Sequence, residues 1–400
     1  MKYWNNGWHT LKWGNIATLE YGKALRGYQN AKAEYPVYGT NGLIGWHDKA
    51  LCNKPGIIIG RKGAYRGVHI SKTPFFVIDT AFYLNLLSDE VDLIWAYYQL
   101  LNFDINKLDS GSAIPSTTRE AFYQIPVLLP PLPTQRKIAA ILSAYDDLIE
   151  NNTRRIAILE EMAQALYREW FVHFRFPGHE KKRMVESELG LIPEGWEVVK
   201  LGDIAIINAS SIKRGHEPEE IQYVDITSVS TGRIDKVETM AFIDAPGRAR
   251  RIVKQGDIIW STVRPNRKSY SLILNPAANL IVSTGFAVIS AKKAPYTYLY
   301  HSLTTNEFAD YLTNRARGAA YPAVNTEDFQ NALVLLPTSD LLIKFDHIVS
   351  DILNQKHNLL QRNNNLRKTR DLLLPKLIAG EIDVEGLEVA GGEREMEEIV

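Results

Sequence analysis

Residues 7–17, Gly-Trp-His-Thr-Leu-Lys-Trp-Gly-Asn-Ile-Ala, recur in altered form as residues 195–205, Gly-Trp-Glu-Val-Val-Lys-Leu-Gly-Asp-Ile-Ala. The chain therefore contains an internal repeat, and such a repeat decides the fold before any local pattern does. Two copies of one architecture are expected, each opening on this stretch.

Two further motifs recur in the same order. Gly111-Ser112-Ala113-Ile114-Pro115 matches Gly318-Ala319-Ala320-Tyr321-Pro322, and Val127-Leu128-Leu129-Pro130 returns as Val334-Leu335-Leu336-Pro337. The ends of the two copies agree, whereas their middles differ. This pattern indicates one scaffold that carries two different recognition regions.

Composition excludes several classes of protein. The single Cys52 rules out an intrachain disulfide and a multi-cysteine zinc site, which predicts a cytoplasmic protein. No run of about 18 apolar residues is present, so we expect no membrane span. The net charge is +0, but residues 338–400 carry 8 Lys and Arg against 12 Asp and Glu. The remaining chain is thus slightly basic, and basic patches can bind a phosphate backbone.

Short β-rich runs separated by turns, together with helical stretches, predict an α/β (α+β) fold with two globular domains joined by two long helices. The predicted boundaries follow the repeat and the breaks in helical pattern. They are a first domain at 1–133, a first long helix at 134–176, a linker at 177–190, a second domain at 191–337, a second long helix at 338–380, and an acidic, disordered tail at 381–400.

Apolar side chains recur in alternating steps of four and three along each long helix, which predicts a coiled-coil seam. The two seams are expected to pack as an antiparallel pair with pseudo-two-fold symmetry. The residues assigned to helix pairing and partner docking are Ile138, Leu142, Ile149, Asn152, Ile156, Leu159, Leu166, Trp170, Phe345, Val349, Ile352, Leu359, Leu366 and Leu373. The second seam also holds Lys356, Asn363 and Arg370, and polar seam residues fix register at a cost in stability. A long core helix is the alternative interpretation.

No catalytic motif is found. The sequence lacks a phosphate-binding loop, a His-Glu-x-x-His zinc motif and a Gly-x-Ser-x-Gly elbow. We therefore expect no catalytic residue and no metal site in this chain.

Basic loops follow apolar strands in both copies. Residues 246–268 carry seven Lys and Arg against one Asp, and Gly60–Arg66 lies at the equivalent place in the first copy. Arginine can bind guanine through two hydrogen bonds, and lysine mostly contacts phosphate. The predicted DNA-binding residues are Arg61, Lys62, Tyr65, Arg66, Arg119, Arg248, Arg250, Arg251, Arg264, Asn266, Arg267, Tyr270, Arg315 and Arg317. Solvated loops that happen to be basic are the alternative.

The ordered set of motifs resembles the specificity subunits of type I restriction–modification systems over nearly the whole chain. Its carriers are the Gly-Trp and Gly-(Asn/Asp)-Ile-Ala starts, the Gly-x-Ala-x-Pro loops and Val-Leu-Leu-Pro before each helix. Residues 165–174 and 374–382 are also similar to the helix ends of that family.

The resemblance implies a non-catalytic DNA-binding subunit. Each domain would be a target recognition domain for one half of a bipartite, asymmetric site in double-stranded DNA. The helices would fix the spacer and dock two modification subunits, which methylate adenine. The chain itself would hold no cofactor; S-adenosylmethionine, ATP and magnesium are expected on the modification subunits and on the restriction subunits that join them.

Two other functions remain open from the sequence. One is a self-contained DNA methyltransferase or nuclease with cryptic motifs, and the other is a structural coiled-coil adaptor. Methylation by the purified chain alone would favour the first. Salt-dependent DNA binding would exclude the second, because phosphate contacts impose a steep dependence on salt.

Overall fold

The structure is a computed structural model that describes residues 7–29, 32–108 and 115–387. The chain divides into two compact units. The first unit comprises Met1–Asn152 and Arg362–Val400, and the second comprises Thr153–Gln361. The unit boundaries fall inside both long helices, so each unit combines one globular domain with a part of each helix.

The first unit is mainly a β-domain with short helices. Its strands are β1 (His9–Lys12), β2 (Ala17–Tyr21), β3 (Tyr35–Gly39), β4 (Gly42–His47), β5 (Gly56–Gly60), β6 (Val68–Ser71), β7 (Phe76–Val77), β8 (Ala81–Leu86) and β9 (Pro126–Leu129). Its helices are α1 (Trp13–Ile16), α2 (Leu93–Leu101), α3 (Arg119–Tyr123) and the start of α4 (Leu132–Tyr167).

The second unit repeats this plan with additional strands. Its strands are β10 (Met184–Ser187), β11 (Gly190–Pro193), β12 (Glu197–Lys200), β13 (Ala205–Ile207), β14 (Glu220–Val224), β15 (Val229–Ser230), β16 (Arg233–Ile234), β17 (Glu238–Ala241), β18 (Ala249–Ile252), β19 (Ile258–Ser261), β20 (Tyr270–Leu272), β21 (Leu280–Ser283), β22 (Phe286–Ala291) and β23 (Leu333–Leu336). Its helices are α5 (Leu201–Ile204), α6 (Tyr296–Leu303), α7 (Asn306–Arg315), α8 (Thr326–Gln330) and the start of α9 (Ser339–Ile378).

The repeated motifs at the two ends of each domain pair with each other. β1 lies antiparallel to β9, with Leu11 opposite Val127, and β12 lies antiparallel to β23, with Val199 opposite Val334. The Gly-Trp start and the Val-Leu-Leu-Pro end therefore close each domain with a two-stranded ladder. This pairing explains why the two motifs recur together, since each needs the other to satisfy its backbone hydrogen bonds.

One four-stranded sheet has the same strand order in both units, β2-β8-β5-β6 in the first and β13-β22-β19-β20 in the second. All its strand pairs are antiparallel. Successive residues of a central strand enter different cores: Ile57 and Ile59 join one buried cluster, and Ile58 joins another. Side chains alternate across a strand, so a sheet that is covered on both faces requires the continuous apolar run seen in β5.

The second sheet differs between the units. It has the order β4-β3-β7 in the first unit and β17-β14-β21-β18 in the second. Both versions contain one parallel pair, β3 with β7 and β14 with β21. The middles of the two sequence copies, which do not match, thus form the part of each domain that differs in structure.

The long helices start close to the predicted positions. α4 begins at Leu132 and runs to Tyr167, and a π-helical turn continues it over Arg168–Val172, whereas 134–176 was the predicted range. α9 spans Ser339–Ile378 and continues through Pro375. Gly380, with φ +68°, follows its end in the left-handed conformation that favours glycine at helix ends.

Within each unit the two helices contact each other through polar side chains. In the first unit, Asn152 Nδ2 donates to Asn363 Oδ1 at 2.9 Å, and Arg370 pairs with Asp146. In the second unit, Lys356 Nζ lies 2.5 Å from Glu160. The rings of Tyr167 and Phe345 also lie together in the second unit, with centroids 6.3 Å apart. In each unit, higher residue numbers on α4 therefore meet lower residue numbers on α9, so the helices run antiparallel within each unit.

The segment after α9 packs on the first unit. Val384 is 2% exposed and belongs to the main buried cluster of that unit, and Lys137 donates to the carbonyl of Glu385 at 2.6 Å. The prediction of a disordered tail from residue 381 is therefore wrong for its first residues, because Val384 anchors them. Residues 388–400, the rest of that predicted tail, lie outside the described residues.

Candidate DNA interface

The loop after β5 lies against the end of the first Gly-x-Ala-x-Pro motif. The amide of Gly63 donates to the carbonyl of Pro115 at 3.0 Å, and the amide of Thr117 donates to the carbonyl of Arg61 at 2.9 Å. Two segments that were selected separately from the sequence thus meet at one end of the shared sheet. Gly111–Ile114 lie outside the described residues.

Arg61 and Arg119 converge on the ring of Tyr21. The guanidinium carbon of Arg61 lies 4.7 Å from the ring centroid, and that of Arg119 lies 4.1 Å from it. Arg119 also pairs with Glu20 at 3.5 Å, and Arg61 donates to the carbonyl of Asp79 at 2.9 Å. The two arginines were predicted from separate loops, and the residue that joins them was missed because nothing in the sequence links Tyr21 to either loop.

The other predicted residues of the first loop differ in exposure. Lys62 is exposed, and Tyr65 is 80% exposed. Arg66 is only 4% exposed; its amide donates to Asn106 Oδ1 at 2.8 Å and its guanidinium to the Asn106 carbonyl at 3.0 Å. Arg66 therefore anchors the loop to the domain and does not present its charge at the surface.

The second domain has an equivalent meeting of loops after β19. The amide of Val324 donates to the carbonyl of Thr262 at 2.9 Å, and the amide of Arg264 donates to the carbonyl of Pro322 at 2.7 Å. The guanidinium carbon of Arg264 lies 4.7 Å from the ring centroid of Tyr321, within the second Gly-x-Ala-x-Pro motif. Equivalent loops in the two domains thus each hold an arginine over a tyrosine ring.

Of the predicted DNA-binding residues that follow Arg264, two are exposed and one is buried. Asn266 and Arg267 are exposed on the 3-10 turn Pro265–Arg267. Tyr270 is 7% exposed, and its ring centroid lies 5.1 Å from that of Trp260. Tyr270 is a core residue in this structure, which does not place it where it can contact DNA.

The basic segment 246–268 is divided between two sheets. Arg250 and Arg251 lie on β18 of the second sheet, and Arg264 follows β19 of the shared sheet. Arg248 pairs with Asp225 at 3.1 Å, and the guanidinium of Arg250 lies 4.8 Å from the ring centroid of Phe242. Arg248 and Arg250 are therefore partly engaged within the domain.

Burial lowers the pKa of the Arg251 guanidinium, whose Nε has no hydrogen-bond partner among the described residues. The remaining predicted cations lie at the end of α7 and just after it. Arg315 lies 5.5 Å from the ring centroid of Tyr311, and Arg317 pairs with Asp328 at 3.3 Å. Both arginines remain exposed.

The seam residues of the long helices are buried or half-buried, including Ile138, Leu142, Phe345 and Val349. Large apolar side chains on other faces of the same helices are exposed instead, and the seam pattern does not identify them. They are Leu148, Ile158, Met162, Ile343, Ile348 and Leu372. In the second unit a hollow of about 440 Å³ is lined by Trp170, Ile343 and Ile348, among others.

Within residues 7–29, 32–108 and 115–387, no three His, Cys, Asp or Glu side chains are grouped so that they could bind a metal ion. In the same part of the chain, no helix is both long and apolar enough to cross a membrane. Burial raises the pKa of the Cys52 thiol to about 11, so the thiol stays protonated at neutral pH and is a poor nucleophile.

Comparison with known proteins links this geometry to one family. The sequence profile described as "Type I restriction modification DNA specificity domain" matches residues 5–161 and 193–368, once for each copy of the repeat. The specificity subunit of the type I restriction enzyme MjaIX from Methanocaldococcus jannaschii is 25% identical, over 96% of this chain and 89% of the relative. That of HindI from Haemophilus influenzae is 25% identical, over 76% of this chain and 78% of the relative.

The fold has a solved counterpart. The crystal structure of the S subunit of the type I restriction–modification system from M. genitalium matches with a TM-score of 0.64 and 18% identity, over 94% of this chain and 98% of that chain. The family match spans both copies of the repeat, and both copies hold basic loops at equivalent positions. The chain therefore belongs to the type I restriction–modification specificity family, and it is a specificity subunit that recognises a DNA sequence.

Proposed function

We propose that each domain recognises one half of a bipartite, asymmetric site in double-stranded DNA through the loops that follow β5 and β19. The observation that carries this proposal is that both loops hold an arginine over a tyrosine ring, Arg61 over Tyr21 together with Arg119, and Arg264 over Tyr321. Each loop also lies beside a Gly-x-Ala-x-Pro segment. Arginine in such a loop can contact base edges or phosphates.

The two half-sites differ in sequence under this proposal. The shared sheet has one strand order in both domains, whereas the second sheet has three strands in one domain and four in the other. The loops also differ, because Lys62 and Tyr65 follow Arg61 while Asn266 and Arg267 follow Arg264. Different side chains on a common support favour different base sequences.

The long helices set the spacer between the half-sites as an antiparallel coiled coil and dock two modification subunits. The antiparallel contacts within each unit support the pairing. The exposed apolar side chains Leu148, Ile158, Met162, Ile343 and Leu372 are the candidate contacts for docking, because a partner that covers them removes apolar surface from water. The seam residues then hold the helices together and the outer residues meet the partners.

The chain itself is non-catalytic in this proposal, and it acts in the cytoplasm. Methyl transfer to adenine takes place on the modification subunits, which hold S-adenosylmethionine. Restriction subunits that use ATP and magnesium complete the enzyme. The absence of a catalytic motif from the sequence supports this division of labour.

Methylation-sensitive long-read sequencing tests the proposal. A host without other adenine methylation would co-express this chain with the modification subunit encoded beside it. We expect N6-methyladenine at two unlike half-sites separated by a constant gap. Exchange of residues 1–133 for those of a relative should change one half-site only.

Three results would contradict the proposal. Methylation by the purified chain alone would identify a self-contained methyltransferase. Failure to co-purify with the modification subunit, together with DNA binding that does not respond to salt, would favour a structural adaptor. A change of both half-sites after the exchange of one domain would refute the assignment of one half-site to each domain.

A further inference from the structure

Tyr21 occupies a distinctive position at the end of β2. It pairs across the sheet with Phe82, which is 1% exposed, and the two ring centroids lie 5.0 Å apart. One part of the Tyr21 ring thus rests on the core, and the side chain is still 48% exposed. Arg61 and Arg119 both contact this ring, at 4.7 and 4.1 Å. The ring is therefore a fixed support for two cations at the surface.

Two like charges over one ring repel each other, and the domain offsets this repulsion only in part. Glu20 lies 3.5 Å from Arg119, whereas Arg61 forms no ion pair with any described residue and donates instead to a backbone carbonyl. An aromatic face attracts a guanidinium only weakly at exposed sites. A DNA phosphate or a guanine edge would offer acceptors that two neighbouring guanidiniums can share.

Tyr321 makes a comparable contact in the second domain, although it lies in the Gly-x-Ala-x-Pro motif and not at the end of a strand. It is 71% exposed and lies 4.7 Å from the guanidinium carbon of Arg264. Arg264 also has a left-handed backbone, φ +51°, and its guanidinium donates to the carbonyl of Ala320 at 3.2 Å. A non-glycine residue seldom adopts this conformation without support from its surroundings, so the loop holds Arg264 in one arrangement.

We infer that Tyr21 and Tyr321 are positioning residues that hold Arg61 with Arg119, and Arg264, in the orientation in which they contact DNA. The inference rests on the proposed function of the two loops. A free arginine side chain loses rotamer entropy when it is fixed on a partner. A ring that fixes the guanidinium before DNA arrives removes part of that loss, which increases affinity without a direct contact between tyrosine and DNA.

The test uses the full chain assembled with its modification subunits and three DNA duplexes. One duplex carries the whole site, and each of the other two ends inside the spacer and so lacks one half-site with its bases and phosphates. Binding is measured by fluorescence anisotropy for the wild type and for Tyr21→Leu, Tyr21→Phe, Tyr321→Leu and Tyr321→Phe. Phenylalanine keeps the aromatic face and leucine removes it, so the two variants at each position form a matched pair.

We expect Tyr21→Leu to bind the whole site about 3- to 10-fold more weakly than the wild type, as the loss of cation–π contacts predicts. Removal of the half-site that the first domain binds should then weaken binding by this variant less than binding by the wild type, and the difference should be the same 3- to 10-fold factor. Removal of the other half-site should weaken binding by both proteins equally. Tyr321→Leu should show this reduced cost for the opposite half-site. Both phenylalanine variants should bind within about twofold of the wild type.

Three outcomes would overturn the inference: leucine variants with wild-type affinity for every duplex, phenylalanine variants as weak as leucine variants, or a Tyr321→Leu variant that weakens binding through both half-sites equally. The last outcome would mark a structural role. Tyr321 is exposed, so its variants remain informative even if Tyr21→Leu disturbs the fold. A wild-type complex that binds all three duplexes equally would instead refute the proposed function, which separates the two failures.

Discussion

At the scale of single residues, the fold decides which basic side chains can contact DNA. Arg66 is buried against Asn106, and Arg317 and Arg248 are engaged with Asp328 and Asp225. Arg264 remains at the surface, held by its loop and by Tyr321. A basic side chain contributes to DNA binding only if its hydrogen-bond donors can exchange water for acceptors on the nucleic acid.

The first prediction concerns Arg264. Arg264→Ala should weaken binding of the assembled complex to its site by about 1–3 kcal/mol if the guanidinium contacts a base, and should relax specificity at one position of one half-site. The measurements are affinity and the methylated sequence. Arg233→Ala is the matched control, because Arg233 is an exposed arginine of the same domain that pairs with Asp235. Equal loss of affinity in both variants would exclude Arg264 from the interface.

The second prediction concerns His301, which is buried among aromatic rings of the second unit. Burial lowers its pKa to about 4, and its Nδ1 lies 2.8 Å from the carbonyl of Thr297. The folded state therefore favours the neutral imidazole. This contribution to stability is complete above the unfolded pKa of about 6.5 and is lost as the pH falls towards 4.

Unfolding by urea at several pH values tests this. The free energy of unfolding should fall by about 3 kcal/mol between pH 6.5 and pH 4 from this residue alone. His301→Phe should remove that part of the pH dependence, whereas the exposed His347→Asn should leave it unchanged. An identical pH profile for the wild type and His301→Phe would show that the buried imidazole does not control acid sensitivity.

At the scale of elements, repeated strands close each domain and long helices leave from them. The polar residues in the helix seams are paired: Asn152 with Asn363, Asp146 with Arg370 and Glu160 with Lys356. Each pair satisfies groups that would be costly to leave unpaired when buried. Because each pair forms only in one alignment of the helices, the pairs oppose a shift in register.

The third prediction follows from the asparagine pair, which is nearly fully buried at 8% and 2% exposure. Asn363→Leu alone leaves the amide of Asn152 without its partner and should destabilise the first unit by about 1–3 kcal/mol. Asn152→Leu with Asn363→Leu should restore stability or raise it, because two apolar groups replace a desolvated polar pair.

Thermal unfolding measures both effects. In the double variant, α4 and α9 should pair in more than one register. Methylome sequencing would detect this as more than one gap between half-sites. A double variant with lower stability than either single variant would contradict this account of the pair.

At the scale of the whole molecule, the chain combines two copies of one architecture, and each copy ends in a long helix. Each unit contains helix segments from both copies, since the unit boundaries fall after Asn152 and after Gln361. The proposed spacer length therefore depends on both helices together.

The fourth prediction changes that length. Insertion of one heptad after Asn152 and another after Gln361 keeps the seam in register and lengthens each helix by about 10 Å. The gap between half-sites should grow by about three base pairs at about 3.4 Å each, with both half-sites unchanged. Methylome sequencing measures the gap. Insertion of four residues after Asn152 alone is the contrasting variant and should prevent assembly, because it turns one seam away from the other. An unchanged gap in the paired variant would refute the role of the helices as a spacer.

Much of the architecture can be predicted from the sequence because it depends on patterns within short segments. The Gly-Trp and Val-Leu-Leu-Pro repeats mark the domain ends, and the steps of four and three mark α4 and α9. The basic loops after β5 and β19 were predicted because apolar strands followed by basic residues are local signals, whereas their position beside the Gly-x-Ala-x-Pro segments emerged only from the structure. The boundary of the tail was misjudged, because its acidity conceals the buried Val384.

What the sequence determined by itself is the internal repeat, the helical seams and the family, all of which are carried by residue order. Tertiary structure alone decided that Arg61 and Arg119 share Tyr21, that Arg66 and Tyr270 are buried, and that segment 246–268 divides between two sheets. The physical reason is distance along the chain. Charge and aromatic character are properties of a residue, but exposure and partnership arise only when strands that are far apart in sequence pack side by side.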